Sequence, residues 1–105
     1  MRWRWGSLGR IMFVARVIFK GPDAGGRETP PLPGYHPQIW AGDAYTSCKV
    51  ESLTGKVAFA FGIEHLVSLE LHFPEIYADR FALGDAVAFF EGSHLVGRGV
   101  ILEVM

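Results

Sequence analysis

Short segments in which apolar and polar residues alternate are the feature that most restricts the fold of this 105-residue chain. The clearest lies over residues 65–73, where every second residue from Val67 to Phe73 is apolar. Successive side chains of a strand point to opposite faces, so this period of two predicts a strand with one buried face. Inward positions are predicted for Val67, Leu69, Leu71 and Phe73, and outward positions for Ser68, Glu70 and His72.

Similar patterns predict strands over residues 13–20, 35–41, 45–53, 56–61, 85–91 and 95–104. Residues 75–83 are compatible with a helix but short, so a loop with a helical turn is equally compatible with them. Gly92 and Ser93 form the kind of pair that makes a tight hairpin turn. Six or seven short strands at this spacing predict a single all-β domain, either a barrel or a sandwich.

Glycines and prolines separate the first two strands. Residues 27–34 contain three prolines, which predicts an extended loop. Residues 29–33 also have the spacing of a proline-rich ligand, although a structural loop is the favoured interpretation. Gly25 and Gly26 are expected to allow a positive φ, or alternatively to form an anion site together with Arg27. Arg27 could instead pair with Glu28 or Asp23.

Composition restricts the function. Ten basic and eleven acidic residues give a net charge of -1, whereas tight non-specific binders of nucleic acid carry a basic excess. The single Cys48 cannot form an internal disulfide, which favours a buried thiol in a reduced compartment and a cytoplasmic location. No run of 18 apolar residues is present, so no membrane span is predicted.

The first eleven residues differ from the rest of the chain. They are rich in basic and aromatic side chains and lack the apolar core of a signal peptide. We expect a flexible extension over residues 1–11, followed by one domain over residues 12–105. Membrane or RNA contact is the alternative for four residues, Arg2, Trp3, Arg4 and Trp5.

Two motifs follow one another before the second strand, Gly-Gly-Arg-Glu-Thr-Pro at residues 25–30 and Gly-Tyr-His-Pro-Gln at residues 34–38. They are similar to Gly-Gly-Arg-His-Thr-Pro and Gly-Tyr-Arg-Pro-Gln in the C-terminal (third) domain of elongation factor Tu. Residues 91–101 resemble the closing hairpin of that domain, where Val-Gly-x-Gly-Val recurs. The resemblance spans about residues 13–104. It implies a stand-alone, closed antiparallel β-barrel of six to seven strands and a translation-factor-like binding module.

The chain departs from that family at several positions. Glu28 stands where the family has a histidine near the tRNA backbone, and a carboxylate repels phosphate. Leu66 stands where the family has a basic residue, and residues 75–83 have no counterpart that can be matched. No Gly-x-x-x-x-Gly-Lys-Ser/Thr loop occurs, so no nucleotide site is predicted.

Catalytic and metal-binding patterns are sparse. The four histidines lack ligand-type spacing, and His65 and His72 are predicted to face opposite sides about 23 Å apart along a strand. Small closed barrels fill their interiors with side chains, so no cleft for paired carboxylates is expected. We therefore predict a non-enzymatic protein with no cofactor and no metal.

Two functional hypotheses remain. The resemblance implies contacts with the backbone of tRNA or another RNA through Arg27, Thr29, Gly92, Ser93, His94 and Arg98. The alternative is a protein interface, or a homodimer, formed by Tyr35, His36, Gln38, Trp40 and Leu66. Trp40 would be an anchor of that interface, although packing against the barrel wall is an equal interpretation.

Overall fold

A closed antiparallel β-barrel forms the body of the protein in a computed structural model, which describes residues 12–105. Its strands are β1 (Met12–Phe19), β2 (Gln38–Trp40), β3 (Tyr45–Ser52), β4 (Glu64–Leu71), β5 (Ala86–Glu91) and β6 (His94–Val104). A short helix, α1 (Pro74–Tyr77), and two 3-10 turns, Pro22–Ala24 and Ala78–Arg80, lie in the connections. The barrel prediction is confirmed with six strands, while the extension over residues 1–11 lies outside the described residues.

The strands follow the order β1-β4-β3-β2-β5-β6 around the barrel, and β6 pairs again with β1. Each of the six pairs with two antiparallel neighbours, so the barrel is closed, although β2 and β5 pair at only two positions. Within residues 12–105, the outer face and the ends of the barrel are the surfaces that a partner could contact. Within the described residues, no helix is long and apolar enough to cross a membrane.

Alternation in the sequence corresponds closely to burial in the barrel. Every second residue of β1 from Phe13 to Phe19 is buried, as are Val67, Leu69 and Leu71 of β4. Phe19 is the centre of one aromatic cluster, with ring centroids 5.5 Å from Phe59 and 5.9 Å from Phe89. Cys48 is fully buried, as expected, and this burial raises its pKa to about 12.

Residues 56–61 do not form the predicted strand. Their alternation has another cause, because Phe59 is buried against Phe19 and Val57 is 88% exposed. The Phe59 N–H donates to the Pro31 carbonyl at 2.8 Å, so this loop covers one end of the barrel and bonds to another loop. Pro31 is itself buried, which supports the structural interpretation of the proline-rich segment.

Three smaller predictions need correction. β2 starts only at Gln38, because Pro37 has no amide to donate, although Tyr35 still bridges Val50. Phe73 is 49% exposed, since β4 ends at Leu71 and the chain turns into α1. Ser68 does face outward, yet only 5% of it is exposed, because this small residue lies between Val14 of β1 and Glu51 of β3.

The glycine turn after β1 has a mainly conformational role. Gly25 has a φ of 75°, in the left-handed region that favours glycine. A Cβ atom on Gly26 would lie 2.0 Å from the Lys20 carbonyl oxygen, which no side chain tolerates. The expected positive φ is confirmed at Gly25, while Gly26 is required by the close approach of two backbone segments.

Candidate functional site

Arg27 lies against the closing hairpin and not beside its sequence neighbours. Its Nε is 3.1 Å from a Glu91 carboxylate oxygen, and its guanidinium lies 4.8 Å above the centre of the Tyr35 ring. The Tyr35 hydroxyl donates to the same carboxylate. Burial, and then this bond to Glu91, raise the pKa of Tyr35 well above its usual range. The pairing with Glu28 or Asp23 considered from the sequence is therefore wrong, and Glu91 is the partner.

His94 connects the same two loops a second time. Its Nε2 is 3.2 Å from the Gly26 carbonyl oxygen, and because a carbonyl oxygen can only accept, the imidazole nitrogen donates. The Gly-Gly-Arg-Glu-Thr-Pro motif and the closing hairpin thus meet at one end of the barrel. We call this region, formed by Gly26, Arg27, Tyr35, Glu91 and His94, the hairpin end.

An open groove of about 500 Å³ adjoins the hairpin end and is lined by Arg27, Thr29 and the residues from Pro30 to Tyr35. Gly92 and Ser93 form the exposed tip of the hairpin between β5 and β6. Five of the six residues considered for RNA contact therefore belong to two loops that touch each other.

Arg98 is the exception. It lies within β6, opposite Ile18 of β1 and Ala88 of β5, and lines a separate pocket of about 250 Å³ with Arg16 and Glu64. Its side chain is exposed on the outer face of the barrel. Arg98 would reach a ligand along the barrel wall and not through the hairpin end.

Three aromatic side chains from neighbouring strands meet on another part of the outer face. Trp40 of β2 and Tyr45 of β3 are 41% and 42% exposed, and their ring centroids lie 4.9 Å apart in an edge-on contact. Tyr45 also contacts Phe90 of β5, with a centroid distance of 5.1 Å. We call these three residues the aromatic patch.

Sequence reasoning identified Trp40 but missed the other two members of the patch. Alternation places Phe89 inside and Phe90 outside, which was a usable signal, but the pairing of β2 with both β3 and β5 is not visible in the sequence. Leu66 lies on β4, opposite Arg16 and separated from β2 by β3, and it lines a different pocket of about 380 Å³. Leu66 therefore does not extend this surface.

A line of three polar side chains crosses the outer face from the start of β2 to the end of β4. Nδ1 of His36 is 3.0 Å from Nε2 of His72, and Nδ1 of His72 is 2.7 Å from the Ser47 hydroxyl oxygen. His65, in contrast, is buried with its Nε2 donating to the Ala60 carbonyl, so the predicted opposition of His65 and His72 is confirmed. The sequence analysis did not anticipate the His36–His72 contact.

A serine bonded to a histidine that another group orients is also the arrangement of an activated nucleophile. Acyl transfer needs, in addition, free donors for a developing oxyanion. The amide of Cys48, the residue after Ser47, donates to the Pro37 carbonyl at 3.1 Å, and Ser47 lies on an outer sheet face. The contact alone therefore does not assemble a catalytic site.

No group of three or more His, Cys, Asp or Glu side chains is placed to hold a metal ion within residues 12–105. No model of a known protein family matches the chain.

Proposed function

We propose that the chain is a non-catalytic binding module of the translation-factor type that binds a protein partner through its aromatic patch. The observation that carries this proposal is the exposure of Trp40 and Tyr45, whose rings contact each other, while Tyr45 also contacts Phe90. Tryptophan and tyrosine are enriched among the residues that dominate binding energy at protein interfaces. The resemblance of the sequence to the third domain of elongation factor Tu supports a role in binding.

Charge favours protein over RNA as the partner. The chain has a net charge of -1, and the carboxylate of Glu91 already neutralises the guanidinium of Arg27. Glu28, next to Arg27, is exposed and would repel a phosphate backbone. In contrast, removal of apolar rings from water by a partner lowers the free energy of the system.

A pull-down from cell lysate in the presence of a chelator, followed by sedimentation, tests this proposal. We expect the full chain to retain a specific protein or to self-associate, and the Trp40→Ala variant to lose that contact. Leu66→Ala is the matched control, since it removes an exposed apolar side chain from a different part of the barrel. Equal recovery of the same partners by the wild-type chain and Trp40→Ala would contradict the proposal.

RNA binding at the hairpin end is the second candidate. It is favoured by one observation, the convergence of the Arg27 and His94 loops beside an open groove. Filter binding of tRNA at low salt should then detect an affinity that falls steeply with salt and weakens further in Arg27→Glu. Arg80→Glu is the control, because Arg80 pairs with Asp43 outside that groove. Absence of any tRNA affinity at low salt would exclude this candidate.

A further inference from the structure

The contact between His36 and His72 has the dimensions of a chelate. Imidazole nitrogens are preferred ligands of zinc, copper and nickel ions. With metal–nitrogen distances of about 2.0–2.1 Å, two nitrogens held at roughly a right angle on one ion lie about 3 Å apart. Nδ1 of His36 and Nε2 of His72 are hydrogen-bonded at 3.0 Å, and an ion bound by both nitrogens would replace the proton that they share. We infer that His36 and His72 form a binding site for a divalent transition-metal ion, a property that goes beyond the proposed protein-binding function.

Neighbouring backbone bonds hold both histidines in place. His36 lies between Tyr35, whose carbonyl accepts the Val50 N–H at 2.8 Å, and Pro37, whose carbonyl accepts the Cys48 N–H at 3.1 Å. The His72 N–H donates to the Ser47 carbonyl at 3.1 Å. All three bonds attach to β3, so the two rings meet on one rigid scaffold. A pair of ligands that is already positioned loses little conformational entropy when an ion binds.

Ser47 supplies the outer contact that a metal-bound histidine needs. When Nε2 of His72 binds an ion, its Nδ1 carries the proton and must donate it to a partner. The Ser47 hydroxyl oxygen lies 2.7 Å from that Nδ1 and can accept the bond. The serine can therefore support the tautomer of His72 that binds an ion through Nε2.

The site is open to solvent and would hold its ion with two protein ligands and water. Both rings are exposed, with centroids 4.9 Å apart and planes inclined by 40°. Lys49 and Glu70 of the neighbouring strands pair with each other at 3.8 Å. A right-angled pair of nitrogens suits nickel or copper, whereas tetrahedral zinc requires the nitrogens to be about 0.3 Å farther apart.

Calorimetric titration of the untagged full chain with nickel chloride tests the site. At about pH 7.5 we expect one nickel ion per chain. Loss of one of two linked ligands should weaken binding about 100-fold in His36→Gln and in His72→Gln. Ser47→Ala should weaken it about tenfold, the lower range for outer-shell partners. His94→Gln is the control and should bind like the wild type, since His94 lies at the hairpin end.

Paramagnetic broadening provides a measurement that needs no variant. Nickel should broaden the imidazole resonances of His36 and His72 before those of His65 and His94. Broadening confined to other residues, no heat of binding up to millimolar nickel, or unchanged affinity in both glutamine variants would overturn the inference. Because the pull-down is carried out with chelator, failure of the metal site leaves the protein-binding proposal intact, and the reverse also holds.

Discussion

The hairpin end and the aromatic patch lie on the same barrel but use their side chains in opposite ways. At the hairpin end, Arg27, Tyr35 and His94 are all bonded to other groups of the protein. In the aromatic patch, Trp40 and Tyr45 contact each other and still expose about two fifths of their surface. A motif that resembles a ligand-binding signature can thus stabilise the fold. The aromatic patch, which carries no such motif, keeps its side chains exposed.

We expect the largest loss of stability from a substitution that disturbs the backbone at the hairpin end. Gly26→Ala places a Cβ atom 2.0 Å from the Lys20 carbonyl oxygen, so one backbone segment must move. We expect the free energy of unfolding to fall by about 3 kcal/mol, the upper range for overpacking. Urea denaturation measures this loss. Gly26 does not have a positive φ, so its variant measures the clash; Gly55→Ala in the turn after β3, where φ is 73° and a Cβ meets no atom within 4 Å, measures instead a positive φ without a clash.

The second prediction removes the acceptor at the centre of the hairpin end. Glu91→Ala leaves the Tyr35 hydroxyl and the Arg27 guanidinium without their shared partner. These groups are only partly buried and water can replace the carboxylate, so we expect a loss of about 1 kcal/mol. Glu103→Ala, near the exposed end of β6, should change stability by less. Equal losses in the two variants would show that the hairpin end is not a structural element.

The third prediction concerns alkaline pH. The pKa of Cys48 is raised from 9.0 to about 12 and that of Tyr35 is also raised, so the folded chain keeps two protons that the unfolded chain releases. Stability should therefore be fully present below pH 9 and fall as pH rises from 9 toward 12. Chemical denaturation at a series of pH values measures the slope. Cys48→Ala should make that slope shallower, whereas an unchanged slope would contradict the burial of the thiol.

The smallest effect is expected at the aromatic patch. Trp40→Ala should change the free energy of unfolding by no more than about 0.5 kcal/mol, as for most surface substitutions. Thermal melting of the variant checks this value. A loss of several kcal/mol would mean that Trp40 packs as part of the barrel wall, and loss of a partner in the pull-down would then reflect unfolding.

The alternation of apolar and polar residues predicts those features of the fold that depend on a single strand or turn. Alternation correctly predicted the strand that became β1 and most of the inward residues of β4, and the pair Gly92-Ser93 marked the hairpin between β5 and β6. It was wrong for residues 56–61, because an aromatic side chain that covers a barrel end alternates with exposed neighbours just as a strand residue does.

Contacts between distant segments were not predictable in the same way. The ion pair of Arg27 with Glu91, the contact of Tyr45 with Phe90 and the hydrogen bond of His36 with His72 all depend on strand order and register. Strand pairing, including that of β3 with β2 and β4, brings these residues together from separations of 36 positions or more. No local propensity encodes such register, so the sequence motifs indicated which residues to inspect but not which of them remain free.

Site-specific photo-crosslinking in cells would distinguish protein binding at the aromatic patch from RNA binding at the hairpin end, because it detects protein and RNA partners in one measurement. A benzophenone amino acid would replace Tyr45 in the aromatic patch or, in a second variant, Ser93 at the tip of the hairpin. The account predicts a discrete protein adduct from position 45 and no RNA adduct from position 93. An RNA adduct from position 93, with no protein adduct from position 45, would contradict it.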